Sequence, residues 1–225
     1  MVVNERLASI VTEWVQSGSP GQEAFDWSKS RENWERDLPT EKIFIKSLPD
    51  ALSRDHVRNV SESKKSSVTE KFITAMIWGY GDLGYGSYRV KKMLSTPGFE
   101  EKINHSYGLA KLGMVIEAYE FLSKNRVQQL GPAFGTKWIS FVSPSVQPAP
   151  IYDSFIAMWV KKFAKHEFSG LSMSSEVWSK KTYGSYLEWM LLKSAEFGLK
   201  PDDLELVIFQ DAAAEFSAKS KWTSL

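Results

Sequence analysis

Apolar residues recur along this chain at helical rather than strand spacing. Leu7, Ile10, Val11 and Trp14 fall three, one and three residues apart, which predicts an opening amphipathic helix. SGSPG (17–21) ends it as a loop. From 22 to 60, Phe25, Trp27, Trp34 and Phe44 are scattered among charges, so the stretch reads as irregular with room for short helices. SESKKSS (61–67) reads as a polar linker, and Val68 to Trp78 as a helix with Phe72, Ala75 and Met76 inward. WGYGDLGYGSYRV (78–90) reads as irregular, because four glycines break any regular pattern. A helix can resume from Tyr88 to Leu94, and STPG (95–98) is a turn.

Leu109, Leu112, Val115, Ile116, Tyr119 and Leu122 predict one amphipathic helix. Tyr183, Tyr186, Leu187, Met190, Leu191 and Phe197 predict another, capped by Thr182, ended by Gly198 and blocked by Pro201. Asp202 and Asp203 then open a last helix, where acids favour the dipole. Its apolar stripe is Leu206, Phe209, Ala213 and Phe216. IFIKSL (43–48) is a strand candidate, whereas VIF (207–209) falls inside a helical pattern. The expected fold is mainly α. Residues 1–60 are expected to be an N-terminal helical segment packing on a main domain over 61–225.

Length and composition then narrow the class. A chain of 225 residues can bury roughly 70% of its unfolded surface, so a stable core needs no covalent staples. The absence of cysteine excludes disulfides, thiol catalysis, zinc thiolates and cysteine-bound iron–sulfur clusters. His56, His105 and His166 are too scattered for a metal site. No apolar run approaches the ~18 residues of a membrane span, and MVVNERLAS lacks a signal-peptide pattern. A cytoplasmic monomer is the expectation. The net charge of +1 neither demands nor forbids nucleic acid. Aromatics at 13% suit either a ring-rich core or a pocket that stacks planar ligands.

The chemistry concentrates in QQLGPAFGTKWISFV (128–142). A helix is expected to end near Leu130, with a hairpin over 130–137 and a second helix from about Thr136. Glycines would let backbone N–H groups converge, and the second helix would offer free N–H groups and a positive dipole end. Together these make a phosphate seat indifferent to base identity. A tight helical corner without a ligand fits the same pattern. Lys137 is either an exposed lysine or, if it faces a pocket, an amine freed to attack. PSVQPAPIYDSFIAMWV (144–160) reads as an extended proline-rich loop leading into a helix. Asp153 stands at that helix start as an N-cap, and an N-cap facing a cleft can also be a catalytic carboxylate. Periodicity does not choose between these readings.

PAFGTK (132–137), followed by PIYD (150–153), resembles the helix-hairpin-helix DNA glycosylases, and most of all their 8-oxoguanine branch. LELVIF (204–209) is similar to the segment that holds a base-reading glutamine and a stacking phenylalanine. Arg89 with Met93 is similar to an R-x-x-x-M helix start that contacts the orphaned base. The resemblance implies a compact two-lobed helical domain with the active-site cleft between the lobes. It implies a DNA glycosylase with abasic-site lyase activity that flips a modified base out of duplex DNA. Lys137 would be the nucleophile at the sugar C1′ and Asp153 the carboxylate that stabilises charge developing there. Gly131, Phe134, Gly135 and Thr136 would contact DNA at the hairpin, Gly135 and Thr136 through backbone N–H groups. Arg89 and Tyr85 would contact it at the orphaned base, with Tyr85 as the wedge. Phe209 and Glu205 would line the base pocket. No metal or redox cofactor is implied, apart from a monovalent cation at the hairpin.

Two departures matter. Ala133 replaces the first hairpin glycine, so that turn must use ordinary backbone angles. Glu205 stands where the base-reading glutamine belongs, and an ionised glutamate only accepts hydrogen bonds, which suits an exocyclic amine. Three functions follow. The first is excision of 8-oxoguanine. The second is excision of a hypermodified cytosine, such as glucosylated hydroxymethylcytosine, from phage DNA as anti-phage defence. The glycine-rich 79–86 stretch, with room for a bulky substituent, motivates it alongside Glu205. The third is a DNA-binding module without catalysis. Lys91 and Lys92, which follow Arg89, are the favoured phosphate contacts among the paired lysines.

Overall fold

The computed structural model describes residues 4–144, 146 and 149–216. Its regular secondary structure is almost all helix, and the described residues fall into two compact units. One combines the chain up to Gly21 with the chain from Ala149 onward; the other is Gln22–Pro148. The division between these units falls at 21/22 and 148/149. Residues 22–60 belong with the hairpin region, while the first helix joins the last one.

In the first unit, α1 (Glu5–Gln16) buries Leu7, Ile10, Val11 and Trp14, as its spacing predicts. Asn4 caps it by accepting from the Leu7 N–H at 3.1 Å.

The second unit begins with a two-residue antiparallel ladder, β1 (Phe25–Asp26) with β2 (Ala51–Leu52), pairing Phe25 with Leu52. Between them lie α2 (Ser28–Asp37) and α3 (Lys42–Ser47). The strand candidate at 43–48 is thus helical: Ile43 is exposed and Ile45 buried, so a single apolar side faces inward. Helix α4 (Arg54–Glu62) and helix α5 (Val68–Tyr80) follow. Ser67 and Glu70 form a capping box that starts α5.

The irregular part of 78–90 shrinks to 81–85, because α5 runs through Tyr80 and α6 (Gly86–Leu94) starts at once. Gly86, at the start of α6, is used for close packing. A Cβ at Gly86 would lie 2.8 Å from Tyr80 and 3.1 Å from Trp34.

The single helix expected over 109–122 is two, α7 (Phe99–Lys111) and α8 (Val115–Lys124). Gly113 breaks them apart in the left-handed region (φ 75°). Its N–H donates to Ala110 O at 2.9 Å and the Met114 N–H donates to Leu109 O at 3.0 Å, a Schellman motif. Helix α9 (Pro132–Val142) closes the unit and packs against α4, α5, α7 and α8. Trp138 anchors it: the ring meets Phe72 edge-on at 5.4 Å and its N–H donates to Ser106 Oγ at 2.9 Å.

The proline-rich loop falls partly on residues 145, 147 and 148, which lie outside the described residues. Back in the first unit, α10 (Ser154–Trp159) runs into a π-helical turn over Val160–Ala164. Helix α11 (Lys180–Phe197) is capped by Ser179, not Thr182, and ends at Gly198 as expected. Helix α12 (Pro201–Phe216) opens on Asp202 and Asp203. It packs on α1, α10 and α11. Five successive residues, Leu204 to Ile208, are buried in it, so its first half is enclosed more widely than a single stripe requires.

Candidate active site

The hairpin is displaced from where its glycines suggest. Helix α8 ends at Lys124 and α9 begins at Pro132, so the connecting loop is 125–131 and PAFGTK is the opening of a helix. Pro132 occupies the first helical position, where a missing N–H costs nothing. Gly131 before it is extended (φ −85°, ψ 172°). The left-handed residue of the loop is Gln129 (φ 65°), not a glycine. Ala133 sits inside the helix with ordinary angles, so the missing glycine has no conformational cost.

This shifts the expected phosphate seat. The Gly135 N–H donates to Gly131 O at 2.9 Å, and Thr136, fully buried, turns its hydroxyl onto the Ala133 carbonyl at 2.9 Å. Both are taken up by the helix. The first-turn amides that a helix leaves over are those of Ala133 and Phe134.

Lys137 lies one and a half turns into α9 and is only 9% exposed. Its stem runs close to Gly79 on α5. A Cβ at Gly79 would fall 2.9 Å from Phe134 Cε1 and 3.1 Å from Lys137 Cδ. Lys137 Nζ is 5.6 Å from the centre of the half-buried Phe134 ring. Phe134 stacks on Tyr80 at 4.1 Å, Tyr80 meets Tyr85 edge-on at 5.9 Å, and the Arg89 guanidinium lies 4.9 Å from the Tyr85 ring centre. A continuous ladder therefore links Lys137, Phe134, Tyr80, Tyr85 and Arg89 across α9, α5 and α6. Burial pushes the Tyr80 hydroxyl up to about 12, with the facing Arg89 working against that shift. Burial also raises Tyr85, which is half-exposed at the start of α6. Lys91 is exposed and Lys92 half-exposed on the same helix, whereas Met93 is buried and faces the core.

Asp153, in the other unit, is the N-cap of α10. Its Oδ1 accepts from both the Phe155 N–H (3.1 Å) and the Ile156 N–H (3.2 Å), and the residue is 8% exposed. Glu205 is buried at 1% exposure. One turn later on α12, Phe209 is half-buried and meets Phe155 edge-on at 5.6 Å. Glu205 and Asp153 both lie close enough to the buried Tyr186 hydroxyl to act on it electrostatically.

Gly79 and Tyr80 were not among the expected site residues. Their signal was present: a glycine deep in an apolar helix costs roughly 1 kcal/mol unless something packs against it. The partner that needs the space lies more than fifty residues away in sequence, where periodicity does not reach.

The family model described as "Putative 8-oxoguanine DNA glycosylase OGG-like protein" matches residues 18–209. No curated protein and no solved structure matched the chain. Among the described residues no helix is long and apolar enough to cross a membrane. The family match spans both Lys137 and Asp153, so the chain belongs to the OGG-like 8-oxoguanine DNA glycosylase family, a membership that suggests DNA glycosylase function.

Proposed function

We propose that the protein excises 8-oxoguanine from duplex DNA, with Lys137 as the nucleophile. The observation that carries this reading is the burial of Lys137 on the second helix of the hairpin. There its stem is packed against Gly79 of α5 and the Phe134 ring, within the PAFGTK motif that resembles the glycosylase hairpin. Nζ attacks C1′ of the deoxyribose and gives up a proton. The bond from C1′ to the base breaks, and the base leaves with the electron pair and takes up a proton. Opening of the C1′–O4′ bond then gives a Schiff base on Lys137. Loss of the C2′ proton from that adduct expels the 3′ phosphate, which is the lyase step.

Asp153 supplies the fixed carboxylate that stabilises positive charge on the sugar. Its N-cap bonds hold it in place. Tyr85 is the wedge and Arg89 the partner of the orphaned base. The Ala133 and Phe134 amides take a phosphate, and Phe209 stacks on the extruded base. A second reading rests on Glu205, an acceptor one turn before Phe209. It would favour a cytosine carrying a bulky substituent, whose exocyclic amine donates.

Mass spectrometry of the free bases released from a DNA panel tests this. The panel holds 8-oxoguanine duplexes, plain duplexes and DNA with substituted cytosines, each treated with wild type and Lys137→Gln. Release of 8-oxoguanine that falls to background in Lys137→Gln, with DNA binding retained, is expected. Release of a substituted cytosine instead selects the second reading. Undiminished release by Lys137→Gln removes the lysine from the mechanism. DNA binding without release of any base points to a binding module.

A further inference from the structure

Helix α11 carries two tyrosines, Tyr183 and Tyr186, three residues apart and so on one face. Both are fully buried, and a buried phenol needs an acceptor. The acceptors are successive carbonyls of the run leading to Asp153. The Tyr183 hydroxyl donates to Pro150 O at 3.1 Å, and the Tyr186 hydroxyl donates to Ile151 O at 2.9 Å. The Tyr152 ring packs against the Tyr186 ring at 4.7 Å. Residues 149–153 are neither helix nor strand, so no ladder serves these carbonyls. The same side chains thus satisfy the backbone and pin the segment two and three residues before the carboxylate. The downstream side is held by the two cap bonds to Asp153 Oδ1.

We propose that Tyr183 and Tyr186 are positioning residues for Asp153, a two-point strap that sets the carboxylate against the reacting sugar. This rests on the reading of Asp153 as the charge-stabilising carboxylate. Burial holds the Tyr186 hydroxyl well above the usual tyrosine range, and Glu205, Tyr183, Asp153 and Tyr152 add to that effect. Tyr186 therefore stays neutral and keeps donating. A strap of this kind matters for rate because a misplacement of about 1 Å at a reacting centre can slow a step roughly a hundredfold.

The test uses a duplex with one abasic site, so that it does not depend on the base removed. The Lys137 amine condenses with the C1′ aldehyde, water leaves, and borohydride delivers hydride to the iminium to give a stable amine cross-link. Trapping rates at saturating protein, half-saturating concentrations and thermal midpoints are measured for wild type, Tyr183→Phe, Tyr186→Phe, the double variant, Asp153→Asn and the triple variant. The single variants each keep one tie, which guards against failure to fold. The double phenylalanine variant is expected to trap about ten- to a hundredfold more slowly, with its half-saturating concentration unchanged. The triple variant is expected to be no slower than Asp153→Asn, since both changes act through one carboxylate. A merely structural role would instead weaken DNA binding and lower the thermal midpoint in step with the rate, or make the losses multiply. Either pattern overturns the strap. So does a wild-type rate in the double variant when Asp153→Asn is slow, and in that case the Asp153 reading survives. A wild-type rate in Asp153→Asn defeats the Asp153 reading, and absence of trapping in wild type defeats the Lys137 reading; the strap falls with either.

Discussion

At Gly79 the absence of one methyl group leaves the space that Phe134 and Lys137 fill. Its Cβ would meet the Phe134 ring at 2.9 Å and the Lys137 stem at 3.1 Å, and Phe134 is backed by the stacked Tyr80. Glycine to alanine inside a helix ordinarily stabilises by about 1 kcal/mol. Gly79→Ala is expected to do the reverse, losing about 1–3 kcal/mol through overpacking. It should also slow trapping at an abasic site while leaving DNA affinity near wild type. Gly108 on α7 is the matched control, because a Cβ there meets nothing within 4 Å. Gly108→Ala is expected to stabilise by roughly 1 kcal/mol in denaturant unfolding. If both substitutions stabilise, the space at Gly79 is not what seats Lys137. The motif that contains Lys137 was legible in the sequence; the close packing of Gly79 against it was not.

At the hairpin the boundaries of the elements move. The glycines and proline of LGPAFGTK suggested a loop, yet proline at the first position and alanine at the second are good helix openers, and α9 uses them so. The turn is made instead by Gln129 in the left-handed region, where a side chain costs roughly 1–2 kcal/mol. Gln129→Gly should recover part of that, raising stability by about 0.5–1 kcal/mol after the extra freedom of the unfolded chain is counted. A lower thermal midpoint would show that the glutamine side chain contributes something else to the loop. The same limit applies to α7 and α8. The period of Leu109 to Leu122 continues through the break, but Leu112 at 76% exposure and the left-handed Gly113 interrupt the helix itself.

Across the molecule, the two ends of the chain close one unit. Arg6 on α1 pairs with Asp211 on α12, and Asp211 also accepts from the Trp159 indole N–H at 2.7 Å. The first helix belongs to the compact unit that carries Asp153, and the chain from Gln22 to the unit that carries Lys137. Asp211→Ala should cost about 1–3 kcal/mol, because it strands a buried indole N–H. Asp211→Asn keeps an acceptor and should cost less. Urea unfolding followed by tryptophan fluorescence checks both, and equal losses would mean that the indole bond contributes little beyond the ion pair.

The sequence by itself determined the helical class, the first and last helices, the N-cap role of Asp153 and the lysine of the hairpin motif. Those features depend on neighbours within a turn or two, which periodicity and capping chemistry report directly. Only the tertiary structure decided that PAFGTK is helix, that Gly79 makes room for Lys137, that Glu205 is enclosed and that Tyr183 and Tyr186 hold the carbonyls before Asp153. Each of those depends on a partner distant along the chain, and the energy of such a contact is set by packing that no local pattern encodes.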